Sequence, residues 1–236
     1  MLCSIGLRRM VSIELPVVAI NFKTYAQATG EKAVSLAKIC EKVAVEHGVS
    51  IVVAPQVPDI YRIAQEVDIP VFSQHMDGGE QGRFTGHVLG EALVESGAVG
   101  TLLNHSEHRM LLADIENSVR RAAKLGLYTI VCTNNPLVSV AAASIEPDAV
   151  AVEPPELIGS GISVSQSQPE VITGTVNRIR AVNKSVKILC GAGISTGVDV
   201  EAAIRLGSEG VLLASAVAKS DKPREALLEL IQPLIK

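Results

Sequence analysis

Eight short apolar runs, each followed by a stretch of helical spacing, constrain this chain more than any other feature of it. The runs cover residues 17–22, 51–54, 70–73, 100–103, 128–132, 149–152, 187–190 and 210–213. They are continuous rather than alternating, as expected of parallel strands covered on both faces. Between them, apolar residues recur three and four apart. In 31–46 they are Ala33, Leu36, Ala37, Cys40, Val43 and Ala44, ended by Gly48. Further helices are expected over 59–66, 89–96, 114–124, 136–144, 196–206 and 222–234, with Ser106 and Thr196 as N-caps. Ser167-Gln168-Pro169-Glu170 reads as a capping box opening a helix that runs to Val182.

Alternating strands and helices predict a parallel sheet with right-handed crossovers, and eight such units in 236 residues predict a closed (β/α)8 TIM barrel, α/β in class and a single domain. The runner-up is an open doubly wound sheet, but no G-x-G-x-x-G follows the first strand. Apolar residues make up 47% of the chain and aromatic ones 3%, so Val, Ile, Leu and Ala must fill the core. The barrel is expected over 10–236, with 1–9 as an N-terminal extension and Met10 as an alternative start. Arg8-Arg9 ahead of an apolar stretch is reminiscent of a twin-arginine export signal, but Glu14 and Pro16 interrupt the stretch and no small-residue cleavage site follows.

Other classes are excluded by composition. The net charge of −4 and the lack of any Lys/Arg cluster speak against nucleic acid. No apolar run is long enough for a membrane span. Four cysteines without a C-x-x-C pair fit a reducing cytoplasm and give no metal site.

In such a barrel the chemistry collects at the C-terminal ends of the strands. Those ends supply Asn21 and Lys23 (first strand), His105 (fourth), Glu153 (sixth), Gly191-Ala192-Gly193 (seventh) and Ala214-Ser215 (eighth). A carboxylate, an imidazole and a cation therefore share one rim with two loops of small residues. Glu153 is followed by Pro154-Pro155 and then by Gly159-Ser160-Gly161, a stiff hinge and a permissive one around a rigid segment. That is the pattern of a base beneath a lid; the plainer reading is a strand end and a surface loop.

The segments Asn21-Phe22-Lys23, Asn104-His105-Ser106-Glu107-His108-Arg109, Glu153 to Gly161, Cys190 to Ser195 and Leu212 to Ser215 stand in the order found in the triosephosphate isomerase family, and the chain resembles its short archaeal form from about Val17 onward. The resemblance implies interconversion of dihydroxyacetone phosphate and D-glyceraldehyde 3-phosphate in glycolysis and gluconeogenesis, without metal or organic cofactor. It implies that Glu153 is the base, that His105 moves protons between the two oxygens, that Lys23 stabilises the enediolate, and that Asn21 hydrogen-bonds the substrate. It assigns Phe22, Ile158, Gly193, Ala214 and Ser215 to substrate binding, Ser195 more weakly, and a supporting acid near Lys23 to Glu107. It also implies a neutral His105 at a helix N-terminus, this family being the standard worked example of that effect. The lid 154–161 would close over the phosphate.

Ala214-Ser215, where many members have Gly-Gly, and Cys132-Thr133-Asn134-Asn135-Pro136, where longer forms carry Cys-x-Gly-Glu, both fit the archaeal branch. The glycine-rich loop 74–86 resembles the family's dimer arm, so a homo-oligomer is expected, a tetramer with a dimer as fallback. Two other readings are open: a phosphate-binding barrel enzyme with a larger substrate, and a catalytically silent barrel used as a scaffold.

Overall fold

A computed structural model describes residues 13–154, 157 and 163–235. The extension 1–9 and Ile158 lie outside the described residues, as does most of the lid. Eight parallel strands form one sheet in the order β2-β1-β8-β7-β6-β5-β4-β3. They are β1 (Val17–Asn21), β2 (Ser50–Ala54), β3 (Phe72–Ser73), β4 (Gly100–Leu103), β5 (Tyr128–Thr133), β6 (Ala149–Val152), β7 (Lys187–Gly191) and β8 (Gly210–Leu213). The two outer strands of that order, β2 and β3, meet through a bridge between Val53 and Val71, which brings the sheet round into a barrel. The strand expected over 70–73 is thus only two residues long, because Val71 makes its bridge just ahead of it.

Strand alternation sorts the core into two layers. Val17, Ala19, Ala54, Phe72, Leu102, Ile130, Ala149, Ala151, Leu189 and Leu212 fill the barrel interior. Val18, Ile20, Phe22, Val150, Ile188 and Val211 face the helices. Phe72 brings the one aromatic ring among the ten interior residues named, and a Cβ at Gly100 would stand 2.5 Å from it.

The helices are α1 (Glu31–His47), α2 (Val57–Ala64), α3 (Gly90–Glu95), α4 (Leu112–Leu125), α5 (Pro136–Ala143), α6 (Val164–Ser167), α7 (Pro169–Val182), α8 (Gly197–Arg205), α9 (Ser215–Ala218) and α10 (Pro223–Ile231). Gly48 and Gly126 end α1 and α4 in the left-handed conformation that glycine adopts without penalty. Thr196 caps α8 as expected, in a reciprocal box with Asp199.

Two expected caps are corrected. Ser167 is the last residue of α6, and its hydroxyl donates to the Ser163 carbonyl at 2.7 Å, so Gln168 rather than Ser167 precedes α7. Ser106 caps no helix. It lies in a turn closed by the His108 N–H to the His105 carbonyl at 2.8 Å, and α4 starts six residues later at Leu112.

Candidate active site

The interior row of β6 runs Ala149, Ala151, Glu153, so alternation alone aims the carboxylate into the mouth of the barrel. Glu153 is 5% exposed, and its N–H donates to the Thr133 carbonyl at 2.7 Å. On one side its side chain lies across Gly191, where a Cβ would stand 2.3 Å from Glu153 Cγ. On the other is Cys132. Burial, together with the Glu153 carboxylate, raises the Cys132 thiol well above the usual thiol range, so it stays a neutral S–H beside the base. Glu153 Oε2 has no hydrogen-bond partner among the described residues. Leaving a buried acceptor unsatisfied costs about 1–3 kcal/mol; a substrate proton donor would relieve it.

His105 Nε2 stands 3.9 Å from that oxygen, just beyond hydrogen-bond reach. The N–H of Glu107 donates to His105 Nδ1 at 3.2 Å. A ring nitrogen that accepts carries no proton, so in a neutral ring this contact leaves the N–H at Nε2. The tight turn supplies the N–H that the sequence reading sought from a helix end.

Lys23 follows β1 with φ +49° and continues the inward row of Val17, Ala19 and Asn21. Its Nζ pairs with Glu107 Oε1 at 2.7 Å, the position foreseen for Glu107. One acidic side chain thus holds the cation while its backbone sets the imidazole. Asn21 is 5% exposed; its Oδ1 accepts from the Lys23 N–H at 2.9 Å. Among the described residues, four non-glycines have positive φ, namely Lys23, Asn104, Glu146 and Ala192, and three of these stand at this mouth. Such strain gathers where a side chain must point against local preference.

Asn21, Lys23, His105 and Glu153 line a recess open to solvent, together with Tyr25, Gly193, Ser195, Leu212, Ala214 and Ser215. Gly193, at φ +71°, and the first turn of α9 form its far wall. The N–H groups of Ser215 and Ala216 open that turn and have no acceptor within the helix, which suits an anion. Ser195 is committed elsewhere: its N–H and its hydroxyl both reach Asp199 Oδ2, at 3.0 and 3.3 Å.

Of the residues named from sequence, Asn21, Lys23, His105, Glu153, Gly193, Ala214 and Ser215 come together. Phe22 does not line the recess. It is fully buried in the outer layer with Val18 and Ile20, since alternation turns it away from the mouth. Ile158 falls outside the described residues. Sequence reading missed Tyr25, although the two-residue spacing from Asn21 through Lys23 points to it. It also missed Gln74, whose amide ties Asn21 Oδ1, the Lys23 carbonyl and the Ala54 carbonyl at 3.3, 2.9 and 3.0 Å.

Comparison with known proteins gives the family. The sequence model of the family described as Triosephosphate isomerase matches residues 16–234. The triosephosphate isomerase of Methanosarcina acetivorans is 56% identical over 217 residues, covering 92% of this chain and 98% of that protein. That of Methanothermobacter thermautotrophicus is 55% identical over 218 residues, covering 92% and 95%. That of Methanocaldococcus jannaschii is 54% identical over 215 residues, covering 91% and 98%.

Proposed function

The chain belongs to the triosephosphate isomerase family and is an intramolecular aldose–ketose isomerase, and we propose that Glu153 and His105 carry its proton transfers while Lys23 and the α9 turn hold the charge. The supporting observation is Glu153 Oε2, without a hydrogen-bond partner among the described residues and buried beside an imidazole and a cation in one recess. The substrate phosphate sits against Gly193, Ala214 and Ser215. Glu153 takes a proton from the carbon next to the carbonyl and returns it to the neighbouring carbon. His105 Nε2–H donates to the oxygen that gains charge, and Lys23 with Asn21 stabilises the enediolate between the two steps. Glu107 keeps Lys23 and His105 in register, and the lid excludes water. The reaction serves glycolysis and gluconeogenesis in the cytoplasm, and among the described residues no helix is long and apolar enough to cross a membrane.

Run in D2O, the reaction places solvent deuterium on the receiving carbon of part of the product, because the proton rests on an exchangeable carboxyl between the steps. Label in the product excludes a direct hydride shift, in which no hydrogen passes through an exchangeable group; product free of label would contradict exchange at the carboxyl between the two steps.

The same proposal includes a homotetramer, with a dimer as the fallback. Exposed apolar side chains in two places support two interfaces: Phe84 on the glycine-rich loop is 47% exposed, and Leu111, Leu112 and Leu137, at the starts of α4 and α5, are 74%, 57% and 69% exposed. Sedimentation of the wild type beside Leu112→Glu/Leu137→Glu should show a tetramer falling to a dimer. A wild type that sediments as a monomer contradicts both arms.

A further inference from the structure

We propose that Asn104 is a positioning residue for the isomerisation, holding His105 neutral and at its distance from Glu153. This inference rests on the reading of His105 as the proton donor to the substrate oxygens. Asn104 ends β4 at φ +58° and is 6% exposed. The backbone alone would favour glycine there, since a left-handed conformation is strained for an L residue. Asparagine tolerates it best among the rest, and here its amide has specific work. Oδ1 accepts from the Met110 N–H at 2.9 Å, and the backbone carbonyl accepts from Arg109 Nη1 at 3.2 Å, so both close the loop that carries His105. Nδ2 donates to the Cys132 carbonyl at 2.9 Å, on β5. The next carbonyl of β5, that of Thr133, accepts from the Glu153 N–H. One side chain therefore joins the loop of the imidazole to the strand that steadies the carboxylate.

Loosening that loop has a chemical consequence. The Glu107 N–H occupies Nδ1 only while the 105–108 turn holds its shape. Once the turn relaxes, Nδ1 is open to a proton and the ring charges more readily. The carboxylates of Glu107 and Glu153 face the ring at 3.7 and 3.9 Å; nearby, Lys23 is held on Glu107, Arg109 on the Asn104 carbonyl, and the neutral Cys132 thiol lies beside Glu153. The two carboxylates favour the charged ring and the two cations oppose it.

The test is Asn104→Gly, which keeps the φ value and removes the amide. Its kcat should fall at least about tenfold with KM nearly unchanged, since a small misplacement of a catalytic group acts on the chemical step. The acid limb of its kcat profile should move to higher pH. Nitrogen-15 spectra with phosphoglycolate bound should show the His105 ring taking up a second proton at higher pH than in the wild type. If Asn104→Gly does not fold, Asn104→Asp serves the same comparison, keeping the acceptor for Met110 and losing the donor to Cys132. Wild-type kcat, a loss confined to KM, or a lower melting temperature with an unmoved pH profile and unchanged ring signals would each overturn the proposal. His105→Gln is assayed in parallel. Full activity there would sink the reading of His105 itself, whereas its loss beside an unaffected Asn104→Gly would sink only the role of Asn104.

Discussion

Glu153 and Gly191 occupy neighbouring strands at the same level, because β6 and β7 pair Val152 with Cys190 and the next residues follow. The carboxylate side chain fills the space a Cβ would take, 2.3 Å from Cγ and 2.8 Å from Oε1. Gly191→Ala must therefore displace the base. A shift of this size is expected to lower kcat by about two orders of magnitude, with a stability cost of about 1–3 kcal/mol from overpacking. Wild-type turnover in a folded Gly191→Ala protein, measured beside its thermal unfolding, would show that the base does not depend on this contact. At this scale the sequence was informative where a residue ends a strand on its inward row. Glu153 and Lys23 satisfy that rule, and Phe22 fails it despite standing between two residues of the site. Asn104, Gln74 and Cys132 were given no role from sequence because their importance lies in hydrogen bonds or packing between strands distant in sequence.

Among the helices, α8 has the most elaborate start. Burial opposes ionisation of Asp199, but the N–H groups of Ser195 and Thr196, the Thr196 hydroxyl and the Gln166 amide together hold its carboxyl below the usual carboxylate value. A carboxyl depressed in the folded state contributes stability above its unfolded pKa of about 3.8, and the contribution is lost as pH falls through the lower folded value. Asp199→Asn should therefore cost about 1–2 kcal/mol near neutral pH. For a chain of this size that is about 2–4 °C of melting temperature per kcal/mol. The gap should narrow as the pH falls below about 4; a gap independent of pH would mean that charge has no part in it. Sequence marked Thr196 correctly, since a threonine and an acid three residues on can satisfy each other. The same pattern misled at Ser167, where a proline at the first position of α7 and the separate turn of α6 leave no box to form. Ser106, expected as a cap for its hydroxyl alone, lies instead in the 105–108 turn that serves His105, and α4 starts six residues later.

At the scale of the whole molecule, the barrel was legible from the count and order of its apolar runs. The closure at β2 and β3 was not, because a single bridge leaves no periodic trace. The glycine-rich arm was legible as an unusual loop. Its base is pinned by Asp77, whose N–H donates to the Val88 carbonyl at 2.9 Å and whose Oδ2 accepts from the Val88 N–H at 2.7 Å. That pinning presents Phe84 outward, and sequence alone does not give its direction. The barrel gathers residues from β1, β4, β6, β7 and β8 onto one mouth, where the proposed proton-transfer isomerisation runs through Glu153. A coupled assay on glyceraldehyde 3-phosphate, wild type beside Glu153→Gln at matched concentration, tests it most directly. The wild type should turn over rapidly, and the variant should lose about two to four orders of magnitude in kcat while still binding phosphoglycolate. A variant within tenfold of the wild type, or an inactive wild type that still binds phosphoglycolate, would contradict it.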